Sequence, residues 1–357
     1  MAANINVITQ DKATCVEFIQ INRLTSSPFF HPSLYSRLSD TRPLNSACHL
    51  IFRCNDKTIG TCFYNKQSVH GLPGLEKALL NQTGNQAIDQ LWIEYNDILS
   101  ISSFKTDNRN AYMQHLSDAK IAQAHISMTT NLSEWVEVAT RAGWSLEAEK
   151  VLGFRKGLKD TSCLEALLKT LSTNTRSKIK RSIKKLTSEW GEPTLETAKD
   201  VATQSQFLDA LATCHKARWG ATPEGSGFSN PFFYETIKAL LLKEPEFARI
   251  HRLAFGDKTI GHVINFTLGQ TVYFYCSGIE HAIASNHIKP GYVMHCYLMV
   301  EYSRLGFHTY DFMGGESQYK KSLSDEVVDF YNLTLTAPSL KGRLLRALIA
   351  LKRRFKQ

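Results

Sequence analysis

The pentapeptide Asp-Lys-Thr-Ile-Gly occurs twice, at Asp56–Gly60 and again 201 residues later at Asp257–Gly261. Each copy lies at a turn between two runs of apolar alternation. The first is embedded in His49–Tyr64, the second between Ala248–Phe255 and Thr259–Phe266. Alternation with period two around a polar turn is the pattern of a β-hairpin, because successive strand side chains point to opposite faces. Five matching residues can coincide at a hairpin turn by chance. The other reading is one fold present twice, and a length of 357 residues favours it, being long for a single core. The expected division is then a first domain over 1–158, a second over 159–338, and a tail over 339–357.

One stretch of the second half carries a chemical pattern. Thr271–Cys276 is aromatic and β-branched, which reads as a strand. Pro290-Gly291 then opens a run of helical period, with Val293, Tyr297 and Val300 beside Met294, Leu298 and Leu305. Gly306 suits the helix stop, since glycine accepts the left-handed conformation. Thr309–Phe312 reads as a short strand, broken by Gly314-Gly315, before a polar loop carrying Tyr319-Lys320. A loop that feeds a helix N-terminus beside a strand end is a physical recipe for holding phosphate. The first half has no comparable Pro-Gly helix followed by Tyr-Lys, so the asymmetry assigns chemistry to the second.

Around this stretch, Thr173-Asn174-Thr175 offers capping oxygens to a helix from Arg176 to Leu186. Ser205–Trp219 and Pro231–Leu242 read as further helices, separated by the glycine-rich loop Gly220–Asn230. In the first half, Leu91–Leu99 reads as a strand and residues 65–87 as turn-rich.

Charge is local. The chain carries 42 Lys and Arg against 33 Asp and Glu, but 13 of the 42 fall in two acid-free segments. Six lie between Thr175 and Lys185, and seven between Leu340 and Gln357. The remainder is mildly acidic, which argues for two anion-facing patches rather than a nucleic-acid wrapper. The tail reads as an amphipathic basic helix suited either to packing on the second domain or to lying on an anionic membrane surface. No apolar run reaches membrane-spanning length and no export signal stands at Met1–Gln10. The eight cysteines form no C-x-x-C pair, so the simplest expectation is reduced thiols in a cytoplasmic protein, with peripheral contact at the inner membrane face through 340–357 as the option the tail adds. No metal-ligand spacing, G-x-S-x-G elbow or G-x-x-x-x-G-K-[ST] loop is present.

Taken in order, these features resemble the GNAT acyltransferase superfamily, and within it the tandem FemAB-like, CelD-type branch associated with cellulose and exopolysaccharide production. The resemblance rests on Thr25–Leu34, on Leu91–Leu99, and on the basic helix within Leu171–Lys185. It continues in His215-Lys216-Ala217-Arg218-Trp219 and above all in Lys289–Leu323. It implies an α/β (α+β) protein of two tandem GNAT-like domains, each a mixed, mostly antiparallel twisted sheet flanked by helices. It further implies acyl-CoA-dependent transfer, from acetyl-CoA or a longer acyl-CoA, to an amine on a small molecule or envelope precursor.

Under that resemblance Lys289, Pro290, Gly291, Tyr292 and Val293 match the segment that holds the donor's pyrophosphate, although only one glycine of the usual loop is present. Tyr319 and Lys320 fall at the mouth of the active site, Tyr319 to protonate the leaving thiolate or orient the donor and Lys320 to stabilise the developing oxyanion or a substrate phosphate, against the plain reading of a solvated Lys-Lys loop. Glu316 and Asp311 are the carboxylates available as base, with a structural role equally open to Asp311. Arg218, Trp219, Tyr273 and Tyr275 are candidate acceptor contacts, against ordinary helix-end and core-packing roles. Two rivals stand beside this reading. One is an aminoacyl-tRNA-dependent ligase of the Fem type, in which tRNA is the single nucleic-acid partner expected. The other is a non-catalytic protein that grips anionic polymer.

Overall fold

The computed structural model describes residues 5–22, 27–39, 47–69, 74–223 and 225–354, with side chains as far as residue 347. The opening of the Thr25–Leu34 match and the last basic residues of the tail lie outside the described residues. The chain divides into two compact units, 1–151 with 329–357, and 152–328.

In the first unit, β1 (Ile5–Gln10) and α1 (Lys12–Asn22) precede α2 (Pro32–Leu38), β2 (Cys48–Cys54), β3 (Lys57–Ser68) and β4 (Glu76–Leu80). Then come α3 (Gln86–Asp89), β5 (Leu99–Ser100), α4 (Lys105–Asp118), β6 (Gln123–Thr129), α5 (Leu132–Arg141) and the start of β7 (Ser145–Gly157). The second unit continues with α6 (Leu164–Lys169), α7 (Thr173–Trp190), β8 (Pro193–Thr197), α8 (Val201–Trp219) and α9 (Pro231–Lys243). After these follow β9 (Ala248–Phe255), β10 (Lys258–Leu268), β11 (Thr271–Ile279), α10 (Pro290–Arg304), β12 (Thr309–Gly314) and α11 (Gln318–Leu323). β13 (Glu326–Thr336) returns the chain to the first unit, where α12 (Leu340–Arg354) follows.

The two copies of Asp-Lys-Thr-Ile-Gly fold alike. Each sits at the turn between the second and third strands of its unit, β2–β3 and β9–β10. In both hairpins the register slips at the isoleucine, so Ile59 and Ile260 are the extra residues of a β-bulge, and both are buried. The glycine that follows is tightly packed in each. A Cβ on Gly60 would fall 2.8 Å from Leu99 O, and one on Gly261 would fall 2.8 Å from Ile279 Cδ1. The strand orders also match: β1-β2-β3-β4-β6-β13 in the first unit and β8-β9-β10-β11-β12-β7 in the second. In each, three antiparallel pairings lead to one parallel junction, β4 with β6 or β11 with β12, and a last antiparallel strand. The fold is therefore mixed α/β, with mostly antiparallel sheets flanked by helices.

Each unit has its own core. In the first, Leu50, Phe52, Tyr112, Trp135, Leu333 and Leu335 belong to one apolar cluster. In the second, Ile179, Val263, Val293, Met299, Tyr310 and Phe312 belong to another. Residues 329–338 stand with the first unit rather than the expected second, because β13 pairs with β6 from Tyr331 to Thr336. The tail helix does too: Leu345 is fully buried with Val69, Leu75 and Ala122.

Three local expectations change. Leu91–Leu99 is mostly loop, with positive φ at Trp92 and Tyr95, and only Leu99–Ser100 pairs in a strand. The loop is held instead by side chains, Asn81 Nδ2 donating to Asp97 O at 2.8 Å and Asn96 Nδ2 to Leu80 O at 2.9 Å. Residues 65–87 contain β4 within their turns. The basic helix α7 begins earlier than expected and is capped by Ser172, whose Oγ accepts from Thr175 N at 3.3 Å.

Candidate active site

The parallel junction of the second unit opens along its length. β11 and β12 pair only from Thr271–Tyr273 to Thr309–Asp311, and beyond that point β11 bonds to β10 alone. Alternation then sends Phe274 toward α10, where it meets His295 edge-on at 4.6 Å, and Tyr275 toward α9, where it stacks on Phe233 at 6.0 Å.

Pro290 sets the first turn of α10, where a missing N–H costs nothing. No side chain caps this N-terminus, and a Cβ on Gly291 would meet nothing within 4 Å. The open amides and the helix dipole therefore face free space that favours an anion. Ser182 fastens α7 to the same point. It is fully buried, accepts from Lys289 N at 3.1 Å, and lies 3.1 Å from His287 O. The basic helix and the uncapped helix start, separate features of the sequence, are thus joined.

α11 completes the arrangement. Tyr319 stacks on His295 with centroids 5.2 Å apart and planes 7° from parallel, and meets Tyr292 edge-on at 6.4 Å. Its environment raises the hydroxyl pKa, chiefly by burial, so Tyr319 is a proton donor at neutral pH and not a base. Lys320 Nζ donates to Gly314 O at 2.6 Å, which fixes a positive charge at the end of β12. His295 donates to or accepts from Tyr310 Oη at 3.1 Å; burial first, and the Lys320 charge second, lower its pKa to about 3. It is neutral at physiological pH and sets the plane of Tyr319. The sequence reading did not single out His295; its position three residues after Tyr292, on the same helical face, was the available signal.

The structure brings together Lys289, Gly291, Tyr292, Tyr319 and Lys320, and leaves the other candidates elsewhere. Pro290 and Val293 are buried, Val293 completely, and serve the core by their side chains. Glu316 is exposed in the turn before α11. Asp311 is fully buried: Oδ2 accepts from Arg155 Nε at 2.8 Å and Oδ1 from Met313 N at 2.7 Å. Its carboxylate braces β12 against β7, the structural role the sequence left open for it, and Glu316 is the exposed carboxylate of the two. Tyr273 is buried, and Tyr275 is half-buried between Phe233 and Phe266. Arg218 lies over the Trp219 ring at 5.6 Å at the end of α8. Arg218 also lines a cavity of about 400 Å³ with Cys214, Ile279, Glu280 and His281. His215, in contrast, is buried and bonded to Ser226 Oγ at 2.8 Å, which pins the following loop.

Residues 173–321, which include Ser182, the start of α10 and Tyr319-Lys320, match the family model described as an acetyltransferase (GNAT) domain. Among solved structures, FemX superposes with a TM-score of 0.60 at 12% identity, covering 96% of this chain and 99% of that one. The C-terminal domain (DUF2156) of a candidate lysylphosphatidylglycerol synthetase from Agrobacterium fabrum gives 0.55 at 11% identity, covering 96% and 97%. L-PGS from Bacillus licheniformis gives 0.51 at 9%, covering 97% of each chain. No curated protein matches the sequence. The class these findings define is one of fold: a tandem, GNAT-like α/β architecture, with the match to the GNAT domain model confined to the second unit. Among the described residues no cluster of His, Cys, Asp and Glu is placed to hold a metal, and no helix is long and apolar enough to cross a membrane.

Proposed function

We propose that the second unit is an N-acyltransferase that uses an acyl-CoA donor and an amine acceptor. The observation that carries this reading is the uncapped, open start of α10 fastened to the basic helix α7 through Ser182. The Gly291 and Tyr292 amides with Lys289 hold the donor's pyrophosphate, and the donor supplies an activated thioester. The Lys320 ammonium stabilises negative charge developing on the acyl oxygen. Tyr319, kept protonated, supplies a proton to the departing thiolate. Glu316, exposed at the same turn, takes the proton from the acceptor ammonium. The CelD-type resemblance supplies the acceptor class to try first, an amine on an envelope or exopolysaccharide precursor.

Equilibrium binding of acetyl-CoA and longer acyl-CoAs tests the reading. A donor should bind at micromolar to millimolar concentration, and Lys320→Ala should cut turnover on the order of 100-fold without loss of fold, the scale of removing one oxyanion donor. Absence of binding by every CoA species, with binding of aminoacyl-tRNA instead, would transfer the site to the ligase reading.

A further inference from the structure

A second cavity, of about 240 Å³, lies between α8 and the strands β9 and β10. Gln206, Ala210 and Cys214 line it from the helix, Arg252 and His262 from the strands, and Glu280 from the end of β11. Arg252 and His262 are directly opposed in the β9–β10 register, so their side chains rise side by side on one face. Phe207 holds both, with Arg252 over its ring at 5.4 Å and the His262 ring at 5.1 Å.

The hydrogen bonding of this pair is incomplete. The second unit buries four histidines. His215 bonds to Ser226, His295 to Tyr310, and His251 to both Thr197 and Tyr302. His262 is 5% exposed and its Nδ1 is buried with no partner. Arg252 Nε is likewise buried and unpartnered, although its Nη2 pairs with Glu196 at 2.8 Å. Leaving the Arg252 N–H and an adjacent imidazole nitrogen buried and unused costs desolvation; a ligand oxygen restores both bonds when the neutral ring carries its proton on Nδ1. One guanidinium already half-offset by Glu196, beside an imidazole, suits a single negative charge. A dianion would leave charge uncompensated in a walled site.

We propose that this cavity is a binding site for a monoanionic carboxylate, gripped by Arg252 and His262, with Gln206 and Glu280 as partners for polar groups on the rest of the ligand. The assignment does not rest on the acyl-transfer reading.

The test follows the His262 ring nitrogens of the full chain by long-range ¹H–¹⁵N correlation during titration with sodium acetate, sodium D-glucuronate and inorganic phosphate. A saturating shift with the carboxylates is expected, with glucuronate the tighter and phosphate weaker than both. Arg252→Gln should weaken it about tenfold or more, the scale of one charge-assisted hydrogen bond. Ala210→Phe, which fills the cavity while leaving the Arg252–Glu196 pair intact, should abolish it. Lys320→Ala should leave it unchanged, so loss of transfer chemistry and loss of this site are read separately. No shift at tens of millimolar carboxylate, an equal shift in Ala210→Phe, or tighter phosphate than carboxylate would overturn the proposal.

Discussion

Lowering the pH from about 7 to about 5 should strip the second unit of most of its stability, and its buried histidines set the size of the effect. Burial pushes His251 and His295 from the ordinary 6.5 down to about 3, with help from the Arg249 and Lys320 charges respectively. Burial also lowers His215 and His262 to about 4. The folded state therefore refuses protons that the unfolded chain accepts below about 6.5. Stability is fully present above that pH and is lost as pH falls toward the folded values. At about pH 5 each group contributes a loss of about 2 kcal/mol, and the four together on the order of 8, comparable to the whole stability of an ordinary domain. Ordinary carboxylates titrate near 4 and do not obscure this window. Urea unfolding followed by circular dichroism across the range measures it, and native-state imidazole titration by NMR assigns it. His251→Gln should remove about a quarter of the slope, since a neutral amide has no proton to gain. Stability that stays flat from about pH 7 to 5, or a His251 ring that titrates near 6.5 in the folded protein, would refute the reasoning.

Two further perturbations test how the site is braced. Arg155→Met leaves the Asp311 carboxylate fully buried without its cation and should cost about 3 kcal/mol, the low end for a broken buried pair because Arg155 is 28% exposed. Adding Asp311→Asn should return most of that loss, and a double variant no more stable than the single one would contradict the bracing role. In Gly278→Ala the new Cβ would lie 2.4 Å from Leu211 O, so α8 must move off β11. A loss of about 1–3 kcal/mol is expected, read as a fall in Tm of several degrees; an unchanged Tm would show that α8 is not seated on that glycine.

The sequence by itself determined the repeated hairpins, most helices, and the strand–loop–helix that forms the candidate site. These are local matters. Period-two alternation flanks both Asp-Lys-Thr-Ile-Gly turns, Pro290 suits the first turn of a helix and not its interior, and Gly306, at φ 84°, can readily close one. Even the repeat had a local cause, because a bulged isoleucine and a glycine without room for a Cβ recur in both copies. Tertiary structure decided what depends on partners far along the chain. That β13 belongs with β6 rests on pairing across some two hundred residues, which no local pattern records. That Asp311 is a brace rests on Arg155, and that α7 serves the start of α10 rests on the buried Ser182 hydroxyl. The vacant bonding capacity of Arg252 and His262 is of the same kind. An alternating strand pattern shows that two side chains share a face, but only packing shows whether anything answers them.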